Sequence, residues 1–316
     1  MASQEPGPDE MSYQGDHVDF RWSRIGLVTG KEQHDHLDRP QATVNSLPAA
    51  PVAFAGRGAV LDKILPVLNP DSDDLDTNRL PICVISGPKG IGTSALAKFA
   101  SHLAVNKGWF PGGALYVDLQ SHAKDPLTDN DALLVLVSPL GVQGAELMSM
   151  IPVARYGYYR DCLAQRPGRT LIVVDHVVRA SQVELVMPGE DRHCVLVTSR
   201  GGLPDLDAHE FRLRALDQVA ACEVLAALVR IGDAHEKRAE TEPEALRDLA
   251  ELCAGVPRNL RDAATGLRQN RDITIEEYVH LLRDRLAPQR MPGALENEPP
   301  PGRRKRSPFM NWRRSS

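Results

Sequence analysis

The chain has 316 residues with 42% apolar and 25% charged content and a formal charge of −5, which suits one large or two ordinary globular domains with a real core. No apolar stretch approaches the roughly 20 residues that cross a bilayer, and the polar N-terminus lacks the basic-then-apolar order of a signal peptide, so a cytoplasmic protein is expected. The five cysteines, at 83, 162, 194, 222 and 253, form no C-x-x-C pair and no His/Cys cluster at metal-ligand spacing, which argues against a disulfide framework or a structural zinc.

Residues 1–50 are rich in Asp, His, Gln, Gly and Pro without sustained periodicity and read as a disordered leader, with a short strand conceivable at Ile25–Val28. The folded body is expected to begin near Pro51, with an amphipathic segment from Ala59 to Leu68 and a polar surface loop over Asp71–Asn78. From there strand and helix patterns alternate. Strands are expected at Ile82–Ile85, Ala114–Leu119, Thr170–Asp175 and Val195–Thr198. Helices are expected from Thr93, near Asp131–Leu140, over Val153–Gln165 and briefly after Arg179. Such alternation predicts an α/β domain, 51–214, with a parallel sheet covered by helices on both faces and a ligand at the carboxyl ends of its strands.

After the strand-like Phe211–Arg214 the pattern becomes helical only. Asp217–Ile231, Pro243–Ala254, Pro257–Gln269 and Thr274–Leu286 carry apolar residues at three- and four-residue spacing, and Thr274 with Glu277 has the form of a capping box. Residues 215–286 therefore read as a small helical subdomain. Residues 287–316 read as a disordered Pro-rich linker and basic tail. The tail holds Arg303, Arg304, Lys305, Arg306, Arg313 and Arg314 without an acid, and taking these six cations away leaves −11 on the rest. Interleaved Phe309, Met310 and Trp312 suit an anionic surface or nucleic acid, and a merely solvated tail fits the same composition.

The chemistry concentrates at Gly87-Pro-Lys-Gly-Ile-Gly-Thr-Ser94, a glycine turn between a strand and a helix. It has the form of a phosphate-binding loop, G-x-x-x-x-G-K-S/T, in which Gly87 and Gly92 hold the glycine positions and Ser94 the magnesium-binding hydroxyl. The lysine position holds Thr93. Backbone N–H groups, including that of Gly90, can still converge on phosphate at a helix N-terminus, but the point charge is lost. A hydrogen bond to a charged group contributes about 1.5–3 kcal/mol, so phosphate affinity should fall by about 10- to 150-fold. Lys89, in the same loop, is an alternative cation. The apolar strand ending in Asp175 has the form of one whose carboxylate holds magnesium through water, and a strand-end Asp that merely starts a turn is its bland counterpart. His176 follows where many ATPases place a second acid, and no glutamate stands where a hydrolytic base is expected. Arg200, directly after Val195–Ser199, has the planar fork that suits terminal phosphate oxygens.

Together, Phe54–Arg57, the phosphate loop, Phe110–Leu119, Thr170–Asp175, Val197–Arg200 and Cys253–Pro257 resemble, in order and spacing, the NB-ARC modules of STAND signalling ATPases, especially those of actinobacterial transcriptional regulators. The resemblance covers roughly residues 48–286. It implies a P-loop NTPase domain followed by an ARC-type helical domain, binding ADP in a closed state and ATP in an open one. It further implies that Arg57 lies near the adenine and that Pro257 packs on the base. Ser94 and Asp175 would hold magnesium, and Arg200 would sense the γ-phosphate. Gly87, Lys89, Gly90, Gly92, Thr93 and Ser94 would line the phosphates. The chain departs from the family at Thr93, at Gly58, where an acid is usual, and at Arg258, where an apolar residue is usual. Sensor and effector modules and an ADP-contacting winged-helix histidine accompany the family's core; they are not among these residues, so a protein partner is expected to supply sensor or effector function. Three readings stand at this point: a weakly binding ADP/ATP switch with slow or no hydrolysis, a degenerate scaffold that no longer binds nucleotide, and an ATPase using Lys89.

Overall fold

A computed structural model describes residues 44–72, 79–120, 124, 126–142, 144–233 and 235–286. The expectations for residues 1–43 of the leader, for most of the 71–78 loop and for the 287–316 tail fall outside these residues. The end of the expected disordered leader does not: Val44 and Asn45 pair with Gly113 and Ala114, and Ser46 N–H donates to the Ala114 carbonyl at 3.0 Å, so the folded body begins before Pro51. Six strands, β1 (Val44–Asn45), β2 (Ile82–Ser86), β3 (Gly113–Asp118), β4 (Thr170–Val177), β5 (Cys194–Ser199) and β6 (His209–Arg212), pair in parallel in the order β1-β3-β4-β5-β2-β6.

The central strands are continuous apolar runs because both faces are covered. Ile82, Val84, Leu115, Val117, Ile172, Val174, Val195 and Val197 share one core with the helices α3 (Asp129–Val137), α5 (Pro152–Ala164) and α6 (Ala180–Glu184). The alternate residues Cys83, Ile85, Ala114, Leu171, Val173, Cys194 and Leu196 face the opposite core, with α1 (Gly58–Leu68) and α2 (Thr93–Asn106). All five cysteines are free thiols, and Cys83, Cys194 and Cys253 are buried as small apolar groups.

Several boundaries differ from expectation for local reasons. Helix α3 starts at Asp129, because Thr128 and Asp131 cap each other reciprocally. β6 lies two residues upstream of the expected Phe211–Arg214, where His209–Arg212 pair with Cys83–Ser86. As an edge strand with His209, Glu210 and Arg212 exposed, it carries little of the apolar alternation that betrays a strand. Two short helices, α4 (Gly144–Ser149) and α8 (Arg238–Thr241), span too few residues for a period to show.

The C-terminal helices α7 (Gln218–Val229), α9 (Pro243–Leu252), α10 (Pro257–Gln269) and α11 (Ile275–Leu286) bury a core of their own, including Leu225, Leu249, Leu260, Leu267 and Ile275. Asp217 caps α7 by accepting from the Ala220 N–H at 2.8 Å. The Thr274–Glu277 capping box closes α11: Thr274 N–H donates to Glu277, and Glu277 N–H donates back to Thr274 Oγ1 at 3.1 Å. The turn before α10 is tied to the end of the α/β part. Leu216 N–H donates to the Gly255 carbonyl at 2.9 Å, and Gly255 has φ 63°. A Cβ at Gly255 would lie 2.2 Å from the Leu216 carbonyl oxygen. A left-handed backbone and a main-chain clash then penalise any side chain. Gly255→Ala is expected to cost on the order of 3 kcal/mol, read as a lowered urea midpoint at unchanged slope.

Beneath β4, His193 is fully buried and its Nδ1 accepts from the Thr170 N–H at 3.1 Å. Burial, reinforced by Arg192, lowers its pKa to about 4. The unfolded chain binds a proton near pH 6.5 and the fold refuses it until about pH 4, so stability falls as pH drops through that window, by up to about 3 kcal/mol. His193→Asn, which keeps an acceptor near Nδ1 without the titration, is expected to flatten the fall in melting temperature between pH 6.5 and 4.5. An unchanged slope would place the acid sensitivity elsewhere.

Candidate functional site

Insertion of β5 between β2 and β4 shapes the site. Strands lie about 4.8 Å apart, so the phosphate loop after β2 and the Asp175 end of β4 are two strand spacings apart. The first turn of α2 bridges the gap: Ser94 Oγ donates to Asp175 Oδ1 at 2.7 Å. Thr198, on the intervening β5, donates to the same oxygen, and Tyr116 Oη on β3 donates to Asp175 Oδ2 at 2.6 Å. Asp175, 1% exposed, is thus fixed by three hydroxyls from three elements. Burial and Asp175 both push the Tyr116 phenol pKa upward, so it stays a donor.

A register shift between Val174 and Val177 extends β4 past the expected Asp175 and puts His176 at φ 61°, a left-handed conformation uncommon for a residue with a side chain. His176 Nδ1 lies 2.8 Å from Asp118 Oδ1 and its Nε2 lies 3.5 Å from Ser94 Oγ. The hydrogen bond with Asp118 raises the His176 pKa above its usual 6.5. For Asp118, burial is the largest single effect and would raise the carboxyl, but the hydrogen bonds from His176 and from the Gln120 N–H, with the charges of His176 and Lys98, together outweigh it and the net shift is downward. Ligand atoms of Asp118, Asp175 and His176 lie within 4.8 Å of one another. Tyr116, Thr198 and Asp118 were not singled out from sequence. Asp118 and Tyr116 sit in an ordinary strand pattern, and only the β3–β4 pairing, with Asp118 opposite Asp175, brings them to the site.

A cavity of about 370 Å³ opens over this end of the sheet. Gly87, Lys89, Gly90, Gly92, Thr93, Ser94, Arg57, Arg200 and Pro257 all line it, so every phosphate- and base-site residue expected from sequence meets there, and Asp175, expected as a magnesium ligand, lies just beneath, behind Ser94. Gly90 and Gly92 have φ 85° and 100°, conformations that need glycine and turn the loop into the N-terminus of α2. Arg57 is buried and its guanidinium donates to the main-chain oxygens of Arg214, at 2.8 Å, and Ile91, at 3.0 Å. Desolvation lowers its pKa. Arg57 therefore clips the phosphate loop to the segment leading into the helical part, a role that the resemblance, which placed it near a base, did not imply. Pro257 Cγ approaches within 3.8 Å of where a Gly92 side chain would begin, so the first turn of α10 closes one wall. The apolar side of the cavity comes from Phe54, Ala55, Leu216, Val224 and Leu228.

No family model matches the chain. It is 32% identical over 240 residues to regulatory protein AfsR of Streptomyces coelicolor and 30% identical over 239 residues to regulatory protein AfsR of Streptomyces griseus. The match takes in 75% of this chain and 23% of each relative, so the chain spans about a quarter of their length. Among solved structures it is similar to Drosophila ORC bound to DNA, with TM-score 0.53 and 16% identity over 83% of this chain and 71% of that one. It is also similar to the Aeropyrum pernix ORC1 protein in complex with DNA, with TM-score 0.51 and 17% identity over 75% and 66% of the two chains. For the Aeropyrum pernix ORC2 protein in its ADPNP-ADP complexes the TM-score is 0.52 and the identity 15% over 74% and 68%. At these identities the structural likeness speaks for the fold alone. The chain has the fold of a P-loop NTPase, and over three quarters of its length it is similar to part of a Streptomyces regulatory protein.

Proposed function

We propose that residues 51–286 form an NB-ARC-type switch module, a nucleotide-binding domain over 51–214 and an ARC-like helical subdomain over 215–286, that binds ADP or ATP with magnesium and signals through a partner protein. The observation that carries this reading is the cavity itself. It joins a helix N-terminus and glycine loop, five Lys and Arg side chains and an apolar wall in one volume sized for a nucleotide. The phosphates would lie on the N–H groups of the Gly87–Ser94 loop, with Lys89 and Arg200 at the rim, and the base would lie against Phe54, Val224 and Pro257. The hydroxyl and carboxylate of Ser94 and Asp175, 2.7 Å apart, are the oxygen donors a hard divalent cation takes, with Asp175 acting through water. Bound magnesium would neutralise phosphate charge.

The similarity to regulatory proteins supports a switch over a metabolic ATPase. Thr93 at the lysine position favours a second reading, a scaffold that has ceased to bind nucleotide. Calorimetric titration with ADP and ATP, with and without magnesium, separates the two: saturable binding at micromolar to low millimolar concentration is expected, and no heat with either nucleotide sinks the switch. The proposed contact of the 303–316 tail with anionic surfaces or nucleic acid lies outside the described residues and is not needed for this reading.

A further inference from the structure

The cavity compensates for its missing lysine from an unexpected side. Arg258 and Arg261, one turn apart at the start of α10, also line the cavity. Arg258 N–H donates to the Gly90 carbonyl at 3.1 Å, and a Cβ placed on Gly90 would lie 2.9 Å from Arg258 Cβ. The stem of Arg258 therefore rests on the phosphate loop, and only glycine at position 90 leaves room for it. Among the described residues, the side chains of Lys89, Arg200, Arg258 and Arg261 make no hydrogen bond or ion pair. No Asp or Glu stands among the lining residues. Four unneutralised cations converging on one volume repel each other unless a multiply charged anion joins them.

Resting on the nucleotide-binding reading above, we propose that Arg258, seconded by Arg261, supplies from the helical subdomain the phosphate-binding cation that Thr93 cannot, so that a di- or triphosphate is clamped between the loop and α10. A lysine in the loop would hold phosphate from the sheet side alone. A guanidinium on α10 makes the phosphate a bridge between the two parts of the chain, with the planar fork that suits two phosphate oxygens at once. Loss of the phosphate then releases α10, and occupancy is communicated to the helical subdomain.

The test is a calorimetric set with ADP, and with adenosine as a phosphate-free probe, on the full chain and on Arg258→Ala, Arg258→Lys, Thr93→Lys and the Arg258→Ala/Thr93→Lys double variant. Arg258 is exposed, so unchanged melting temperatures are expected and are checked first. Arg258→Ala is expected to weaken ADP by about 10-fold or more while leaving adenosine unchanged, with Arg258→Lys recovering part of the loss. Thr93→Lys should gain more affinity in the Arg258→Ala background than in the wild type, because the two cations serve one charge. Wild-type binding of ADP that Arg258→Ala leaves intact overturns this assignment and spares the nucleotide-binding reading. Equal losses for ADP and adenosine would make Arg258 a wall of the pocket, again overturning it. Absence of ADP binding in the wild type removes both.

Discussion

Thr93→Lys is expected to tighten ADP binding by about 10-fold, the lower end of the range for one charged hydrogen bond, because Arg200 and Arg258 already put positive charge into the same cavity. Everything else a phosphate loop needs is in place. Gly90 and Gly92 hold their left-handed turns, and Ser94 opens α2 with its hydroxyl on Asp175. The substituted position lies on the first turn of α2 and lines the cavity, so an ammonium there reaches the volume where phosphate would sit. The comparison is of dissociation constants in wild type and variant at one ionic strength, since salt screens the contribution. Equal or weaker affinity in the lysine variant would mean that the loop no longer receives phosphate.

ATP turnover is expected to fall at least 100-fold below the common enzymatic rate of about 10 per second. A positioned general base contributes about 10²- to 10⁴-fold, and no carboxylate lines the cavity to act as one. His176 is the group nearest to that role. Its Nδ1 is engaged by Asp118, which holds the ring in place and raises its pKa, favouring the imidazolium, a form that cannot accept a proton from water. The Asp118–His176 pair therefore fits a module that retains its nucleotide better than one that consumes it. Phosphate release from ATP under single-turnover conditions measures this. Hydrolysis near 10 per second that Asp175→Ala abolishes would show a working ATPase.

The strands were legible in the sequence because a parallel sheet covered on both faces leaves long apolar runs such as Ile82–Ser86 and Thr170–Val174, which no other local arrangement explains as well. The phosphate loop was legible because its glycines, at fixed spacing between a strand and a helix, answer a backbone requirement that side-chain chemistry elsewhere cannot change. The helical C-terminal part showed itself through period and through caps such as Thr274–Glu277. The bounds of edge strand β6 lay two residues from the expected ones and the four-residue α8 escaped, since exposure removes the apolar pattern and brevity removes the period.

The site's inner geometry belonged to the tertiary structure. Placing β5 between β2 and β4 brought Thr198 onto Asp175, and pairing β3 with β4 brought Tyr116 and Asp118 beside it from positions about 60 residues upstream. The bulge at His176 turned a strand residue toward Ser94. The sequence marked Arg57 and Arg258 only as a family position and a departure from one. Packing made the first a clip between main-chain carbonyls and laid the second across Gly90. Local pattern specifies what a segment becomes, because propensity and period act within a turn or a strand. Which charges share a cavity is set by sheet order and by the docking of α10, interactions between residues far apart in the chain that no local pattern encodes.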